Sequence, residues 1–179
     1  MTFEPPDQFN IADHFLDARV REGRARRTAI RTDHGTLTYG DVQALANRYG
    51  NVLRNAGVQP EQRVIIALPD GPEYVAALFG GLKIGAVVVM VNPHLRQQEV
   101  EYFYGYSRAT AALIHRDTAL VFRSAATEVP DPPRLLVVGE PDFGAKVDDA
   151  SPELTTFPSH KDDAAIWLFS GGTTGRPKA

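Results

Sequence analysis

From Arg63 onward, runs of aliphatic residues alternate with segments that have helical patterns. Val64–Leu68 and Ala86–Val91 are continuous apolar runs, and Pro72–Ile84 between them has the length and composition of a buried helix. Strands that are apolar at every position are typical of a parallel sheet covered on both faces. The alternation continues through helices and strands predicted at Gln97–Ser107, Thr110–Ile114, Asp117–Ala125, Leu135–Val138 and Ala164–Phe169. The predicted fold class is α/β, a mostly parallel sheet with helices on both faces, in which the first three strands are neighbours.

The N-terminal part of the chain predicts a capped helix. Asn10 can cap it, because an Asn side chain accepts hydrogen bonds from the first free backbone N–H groups of a helix. The helix ends at Gly23. Its apolar residues recur at helical spacing and are predicted to share one face: Ile11, Phe15, Leu16 and Val20.

A hairpin and a second capped helix follow. Thr28–Thr32 and Thr36–Thr38 are predicted to pair around a turn that contains glycine. Thr38 and Asp41 have the spacing of a capping box, and helical periodicity then runs to Gly57 through Val42, Leu45, Ala46, Tyr49, Val52, Leu53 and Ala56. Much further along, residues 139–163 are rich in Asp, Pro and Ser and are predicted to form a surface connection before the last strand.

Composition and charge argue against some classes of function. The net charge is −3 and the pI is near 5.9, which argues against a dedicated nucleic-acid or membrane binder. An arginine cluster is best explained as a solvated helix end, with an anion-binding patch as the alternative: Arg19, Arg21, Arg24, Arg26, Arg27 and Arg31. With no cysteine, no secretory signal pattern after Met1 and no long apolar stretch, we expect a soluble cytoplasmic protein.

The last ten residues form a loop of the kind that holds nucleotide phosphates. Glycines let backbone N–H groups approach phosphate oxygens, hydroxyls donate further hydrogen bonds, and a lysine adds positive charge. The P-loop pattern does not fit, because Arg176 and Pro177 follow Gly175 where Lys and Ser/Thr are required. The dinucleotide pattern does not fit either, because Ser170 stands where its first glycine would be.

The loop resembles the signature of the adenylate-forming superfamily, which includes acyl- and aryl-CoA ligases. Gly171 and Ala179 depart from that signature, where serine and glycine are usual. The residues that match it are Phe169, Ser170, Gly172, Thr173, Thr174, Gly175, Pro177 and Lys178. Two upstream segments, Leu37–Val42 and Leu82–Pro93, resemble the first two conserved segments of the superfamily in the right order. The resemblance extends from about Asn10 to Ala179.

The resemblance implies an enzyme that activates a carboxylic acid with ATP as an acyl-adenylate and transfers the acyl group to CoA. Asn92-Pro93 resembles the CoA-ligase branch, and the surrounding residues have some likeness to benzoate-type ligases. ATP, Mg²⁺ and CoA are thereby implied. The phosphates of ATP would be held by Ser170, Gly171, Gly172, Thr173, Thr174, Gly175 and Lys178. The resemblance places the family's catalytic and acid-binding residues after Ala179, so no catalytic residue is predicted within these residues.

The resemblance also implies how the chain is divided. Residues 1–60 would be a helical and hairpin lead-in, 61–170 an α/β subdomain, and 170–179 the phosphate loop, all within the N-terminal portion of an AMP-binding domain. We expect the 179 residues alone to be inactive and to self-associate through apolar surface. The alternative is a non-catalytic module that binds nucleotide weakly or only self-associates.

Three other features have simpler interpretations than catalysis. The five histidines lack metal-ligand spacing and are predicted to lie at the surface or in packing. Asp162 and Asp163 are adjacent and would point to opposite faces of a strand, so they are predicted to be solvated residues, not a magnesium site. Trp167 lies in an apolar strand pattern and is predicted to be core.

Overall fold

The computed structural model describes residues 4–169 of the chain. It begins with two short π-helical segments, an antiparallel hairpin and a long helix. These are Asp13–Asp17, Val20–Arg24, β1 (Thr28–Thr32), β2 (Gly35–Thr38) and α1 (Tyr39–Asn55). The predicted capping box is confirmed: the Thr38 hydroxyl accepts from the Asp41 N–H at 3.2 Å, and the Asp41 carboxylate accepts from the Thr38 N–H at 2.9 Å.

Five parallel strands form the main sheet. In chain order they are β3 (Arg63–Ala67), β4 (Val87–Met90), β5 (Ala111–His115), β6 (Arg134–Val138) and β7 (Ile166–Trp167), and their spatial order is β6-β5-β3-β4-β7. The central strand β3 pairs with β4 through Val64 and Val88 and with β5 through Val64 and Ala111. The three strands predicted to be neighbours are neighbours, and the prediction of a mostly parallel sheet is confirmed.

Helices cover both faces of this sheet, as predicted. They are α2 (Pro72–Lys83), α3 (Gln97–Ser107), α4 (Ala119–Thr127) and α5 (Pro141–Asp149), with a short 3₁₀ turn at Arg116–Thr118 before α4. One face packs against α1, α2 and α5, and the other packs against α3 and α4. Because successive strand residues point to opposite faces, Val64 and Ile66 belong to the first core while Ile65 belongs to the second.

The first part of the predicted surface connection is instead a helix. Residues 139–163 contain α5, whose Phe143 and Val147 are buried and lie one helical turn apart. The Phe143 ring packs edge-on against Tyr49 of α1, with ring centroids 5.2 Å apart. Asp and Pro dominate the composition of this stretch and obscured the two apolar residues, although Pro at the first position of a helix is favourable.

The first helix begins as predicted but does not present the predicted face. The Asn10 side-chain oxygen accepts from the Ala12 N–H at 2.9 Å, which confirms the cap. Phe15, however, is 58% exposed, whereas its neighbour Leu16 is buried. The backbone here is π-helical, and its i to i+5 hydrogen bonds place more residues in each turn than the α-helical spacing assumes. The prediction that Phe15 shares a face with Leu16 is therefore wrong.

Two glycines let α1 and α2 approach closely. Gly50 and Gly80 face each other across the helix pair, and a Cβ on Gly80 would lie 2.7 Å from the Ala46 carbonyl oxygen and 2.8 Å from the Gly50 nitrogen. Both of these atoms belong to the backbone, so no side-chain rotation could make room. The spacing of the two helices therefore depends on the absence of a side chain at residue 80.

We expect Gly80→Ala to destabilise the chain by about 1–3 kcal/mol, because the two helices must separate to admit the methyl group. Gly105→Ala is the matched control, since Gly105 is an exposed residue of α3 and nothing lies within 4 Å of its built Cβ. That control should raise stability by about 0.5–1 kcal/mol through helix propensity. Denaturant unfolding followed by circular dichroism measures both, and equal stability of the two variants would contradict the close approach.

Candidate functional site

The predicted phosphate loop leaves the sheet immediately after β7. Ser170, Gly171, Gly172, Thr173, Thr174, Gly175 and Lys178 lie outside the described residues, so their contacts stay predictions. The structure describes the platform that precedes them, up to Phe169. The geometry of this platform decides at which edge of the sheet the loop begins.

Strand β7, which precedes the predicted loop, ends at the carboxyl edge of the sheet, beside β4. Val88 pairs with Ile166 and Val89 pairs with Trp167, so β7 runs parallel to β4 and ends at the same edge. At that edge α2 leaves β3 toward one face, whereas α3 leaves β4 toward the other. Chain segments that diverge in this way open a crevice outside the carboxyl ends of the strands, which is where open α/β sheets bind ligands.

Polar groups line the ends of β3 and β4 at this edge. The Tyr74 hydroxyl in the first turn of α2 donates to the Met90 Sδ at 2.7 Å. Burial, and then the nearby Asp70 carboxylate, raise the pKa of Tyr74, so its hydroxyl stays protonated and neutral. The Asn92 side-chain oxygen accepts from the His94 N–H at 2.8 Å and thereby forms a turn directly after β4.

An aromatic cluster, Phe103, Tyr106, Trp167 and Phe169, joins α3 to the exit of β7. The ring centroids of Phe103 and Phe169 are 4.7 Å apart, and those of Tyr106 lie 6.1 Å from Trp167 and 5.7 Å from Phe169. All three pairs have edge-on geometry, which aromatic rings favour. The last turn of α3 therefore supports the backbone from which the predicted loop departs.

The strand predicted at Ala164–Phe169 is shorter and more exposed than its pattern indicates. Only Ile166–Trp167 pair as a strand, Leu168 is 67% exposed, and Trp167 is half-buried instead of core. The reason is position, because β7 lies at the edge of the sheet and has one strand neighbour, β4, within residues 4–169. Periodicity alone does not distinguish an edge strand from a central one.

A buried ion pair lies at the opposite end of α2 and was not predicted. The Lys83 ammonium contacts both carboxylate oxygens of Asp17, at 2.7 and 2.8 Å, and the two side chains are 1% and 8% exposed. The available signal was a lysine at the end of a helix that is otherwise apolar. No sequence pattern indicates its partner, which is 66 positions away.

The remaining candidate residues form local turns. In residues 4–169 no group of three His, Asp or Glu side chains could hold a metal ion. The Asp163 carboxylate accepts from the His160 N–H at 2.7 Å, and the His115 ring nitrogen accepts from the Asp117 N–H at 3.3 Å. None of the helices described is both long enough and apolar enough to span a membrane.

Comparison with known proteins gives a consistent result. The family model described as AMP-binding enzyme matches residues 16–179. A 3-hydroxybenzoate–CoA ligase of Aromatoleum sp. (strain CIB) is 35% identical over 175 residues, which cover 95% of this chain and 34% of that protein. A 3-hydroxybenzoate–CoA/4-hydroxybenzoate–CoA ligase of Thauera aromatica is 34% identical over 98% of this chain and 35% of its own length.

The fold is also similar to that of a solved structure. The anthranilate CoA ligase AuaEII, crystallised in complex with anthranoyl-AMP, superposes with a TM-score of 0.90 and 29% identity, over 97% of this chain and 34% of that one. The chain thus spans about a third of the length of the relatives it matches.

We expect Tyr106→Ala to expose Trp167, the only tryptophan of the chain. Loss of an aromatic pair worth about 0.5–1.5 kcal/mol should loosen the exit of β7. The fluorescence emission of Trp167 should then move to longer wavelength, and acrylamide should quench it more strongly. Leu120→Ala, at a 78% exposed residue of α4, should leave both unchanged. Identical spectra for the two variants would show that Tyr106 does not cover Trp167.

Proposed function

The chain belongs to the AMP-binding enzyme family, and from this premise we propose that it is the N-terminal portion of an AMP-forming carboxylic acid–CoA ligase. The observation that carries the proposal is the ligase-like loop sequence that directly follows β7 at the carboxyl edge of the sheet. A glycine- and threonine-rich loop at this edge begins where open parallel sheets bind ligands. The similarity to CoA ligases over nearly the whole chain supports the same assignment.

The proposed reaction has two steps. The substrate carboxylate attacks the α-phosphorus of ATP, and pyrophosphate leaves to give an acyl-adenylate. The thiol of CoA then attacks the acyl carbon, and AMP leaves. A carboxylate is a poor acyl donor, and the mixed anhydride supplies the leaving group that the thiol needs.

In this proposal the loop binds the β- and γ-phosphates of ATP. Backbone N–H groups at its glycines and the hydroxyls of Ser170, Thr173 and Thr174 donate hydrogen bonds to phosphate oxygens. Lys178 adds positive charge where pyrophosphate develops. Mg²⁺ belongs to the proposal through the family resemblance, and no step is assigned to it within the described residues.

We propose an aromatic acid as the substrate. The named substrates of the similar ligases are 3-hydroxybenzoate, 4-hydroxybenzoate and anthranilate, all of which are aromatic carboxylates. The division of the chain is part of the same proposal, with residues 1–60 as the lead-in, 61–170 as the α/β subdomain and 170–179 as the phosphate loop. A cytoplasmic location is also proposed, because ATP and CoA are both present in the cytoplasm.

The test uses a protein that extends this chain to the length of its relatives. We expect it to catalyse pyrophosphate exchange that depends on an aromatic acid, and Lys178→Ala to slow that exchange about 10- to 100-fold, because a charged hydrogen bond to phosphate is lost. Arg176→Ala is the matched control. Arg176 carries the same charge in the same loop at a position where the signature accepts any residue, so its loss should change the rate about twofold or less.

Two results would contradict the proposal. Equal rates for the two variants would contradict the assignment of Lys178 to the phosphate site. If no member of a panel of benzoates supports pyrophosphate exchange, the proposal of an aromatic substrate is wrong. We propose further that the 179 residues alone are inactive, since they span about a third of the ligases they match. Acid-dependent pyrophosphate release by this chain alone, lost in Lys178→Ala, would overturn that part.

A second candidate function is a non-catalytic module that self-associates. It is favoured by apolar surface at one place, where Leu168 is 67% exposed and Tyr106 is 43% exposed beside the edge strand β7. Exposed edge strands pair readily with other chains. Because the same surface is present in a ligase portion, self-association is expected of the 179 residues under either function.

We expect sedimentation of the 179-residue chain to show concentration-dependent self-association, and Leu168→Lys to weaken it by placing a charge at the edge of the sheet. Leu120→Lys is the control, because Leu120 is even more exposed, at 78%, but lies on α4 away from β7. A monomer at every concentration, or equal effects of the two lysines, would exclude association through β7.

A further inference from the structure

The carboxylate of Asp17 is the centre of a buried polar network that joins four distant segments. It accepts two hydrogen bonds from the Lys83 ammonium, at 2.7 and 2.8 Å. The Gln43 amide donates to one oxygen at 2.7 Å, and the Thr156 hydroxyl donates to the other at 2.9 Å. We call these four residues the Asp17 network. Its members come from the first helix, from α1, from the end of α2 and from the segment that precedes β7.

This network is a poor device for stability alone. Removing two charges from water costs several kcal/mol per ion, and well-packed apolar residues often stabilise a core as much as a buried ion pair does. A buried ion pair does have directional bonds, which an apolar contact lacks. Directionality is useful where one segment must take a single position against another.

The segment held in position is residues 150–165, here called the strap, which leads from α5 to β7. Thr156 fixes it to Asp17 of the first helix, and one residue later the Phe157 N–H fixes it to the end of α2 by donating to the Lys83 carbonyl at 2.7 Å. Lys83 thus holds the strap directly through its backbone and, by way of Asp17, through its side chain. The Phe157 ring lies against Gly85, where a Cβ would be 2.5 Å from the ring.

The same corner of the structure begins β4. Lys83 is the last residue of α2, and β4 starts at Val87. The strap ends at β7, whose pairing with β4 opens with the Val88 N–H donating to the Ala165 carbonyl at 2.9 Å. The positions of β4 and β7 therefore both depend on Lys83, which precedes β4 in the chain and holds the strap that leads into β7. A slip of one residue would turn every β7 side chain to the other face of the sheet.

We propose that Asp17 and Lys83 are positioning residues that fix the register of β7 on β4 and, through β7, the point at which the phosphate loop leaves the sheet. The placement of β7 stands on the geometry alone, and its consequence for ATP rests on the proposed function.

The strap has other anchors, and the buried one beside Thr156 is uncharged: the Asn10 amide donates to the Phe157 carbonyl at 3.2 Å and to the Ser159 hydroxyl at 3.1 Å. The Arg48 guanidinium donates to the carbonyls of Val147, Asp148 and Ala150, upstream of Thr156. On the downstream side, the ion pair between Lys161 and Asp7 is exposed, and such pairs contribute little. Among the described residues, the Asp17 network is the anchor of the strap that contains a buried ion pair.

Hydrogen exchange of this chain tests the placement of β7 directly. Thr156→Val removes the hydroxyl that ties the strap to Asp17 and leaves the ion pair intact. We expect the amide of Val88, which donates to Ala165, and the amide of Trp167 to exchange about two- to tenfold faster, as for the loss of one hydrogen bond, while the amides of β3 and β5 do not change. Thr155→Val is the matched control at the adjacent, exposed threonine, and it should leave β7 unchanged. Equal exchange of β7 in the two variants overturns the proposal.

A double variant separates positioning from stability. Asp17→Leu with Lys83→Met replaces the ion pair by apolar side chains, which is expected to keep the chain folded. Positioning predicts faster exchange at β7 with the midpoint of unfolding little changed. If exchange changes at β3, β5 and β7 alike, in proportion to global stability, the pair is only structural and the proposal is wrong.

In the longer ligase, Thr156→Val should raise the KM for ATP about two- to tenfold and leave the KM for the acid unchanged. Simple destabilisation would lower the amount of active enzyme, and so the apparent kcat, without changing either KM. Unchanged KM for ATP together with altered β7 exchange would overturn the link to the loop. Altered exchange in a protein with no adenylation activity would overturn the proposed function and leave the placement of β7 standing.

Discussion

The structure depends on one buried carboxylate that satisfies its hydrogen-bonding capacity within the protein. Asp17 is 6% exposed and receives donors from residues 43, 83 and 156. A carboxylate without partners in this position would cost several kcal/mol, so the four segments must meet in one arrangement. The N-terminal helix, the α1 and α2 pair and the strap are thereby joined as one unit against the sheet.

The long helix α1 makes different contacts on its two sides. Its apolar side packs onto α2 and the sheet, where Gly50 permits close approach. Its polar side binds the backbone of the segment after α5: Asn47 donates to the Pro152 carbonyl at 2.7 Å, and Asn51 donates to those of Ser151 and Glu153. Carbonyl groups of an exposed segment without regular structure are satisfied in this way. A segment with little apolar character is thus held in place by side chains of a helix.

The carboxyl edge and the opposite edge of the sheet have separate tasks. Charged and polar anchors that set strand placement lie around Lys83, just before the start of β4, whereas the turn at Asn92 follows the end of β4. The aromatic cluster lies between α3 and β7. Parallel strands transmit a placement made at one end of the sheet to the chain that leaves the other end.

Much of the secondary structure could be predicted because the relevant forces are local. The continuous aliphatic runs of β3, β4 and β5 and the capping box of Thr38 and Asp41 can be recognised within a few residues. The phosphate loop is likewise predicted from consecutive residues, by resemblance, and stays a prediction. Where prediction was wrong, distant partners decided: α5 is a helix with its Phe143 against Tyr49, and Trp167 is half-buried because no strand within the described residues lies beyond β7.

The sequence by itself determined the alternation of strands and helices and the family. Only the tertiary structure decided that β7 pairs with β4 and not with β6, and that Lys83 is buried against Asp17. The physical reason is that periodicity and capping report interactions between residues a few positions apart. Strand order and buried charge pairs depend on contacts between segments up to 139 positions apart, and these exist only after the chain has folded.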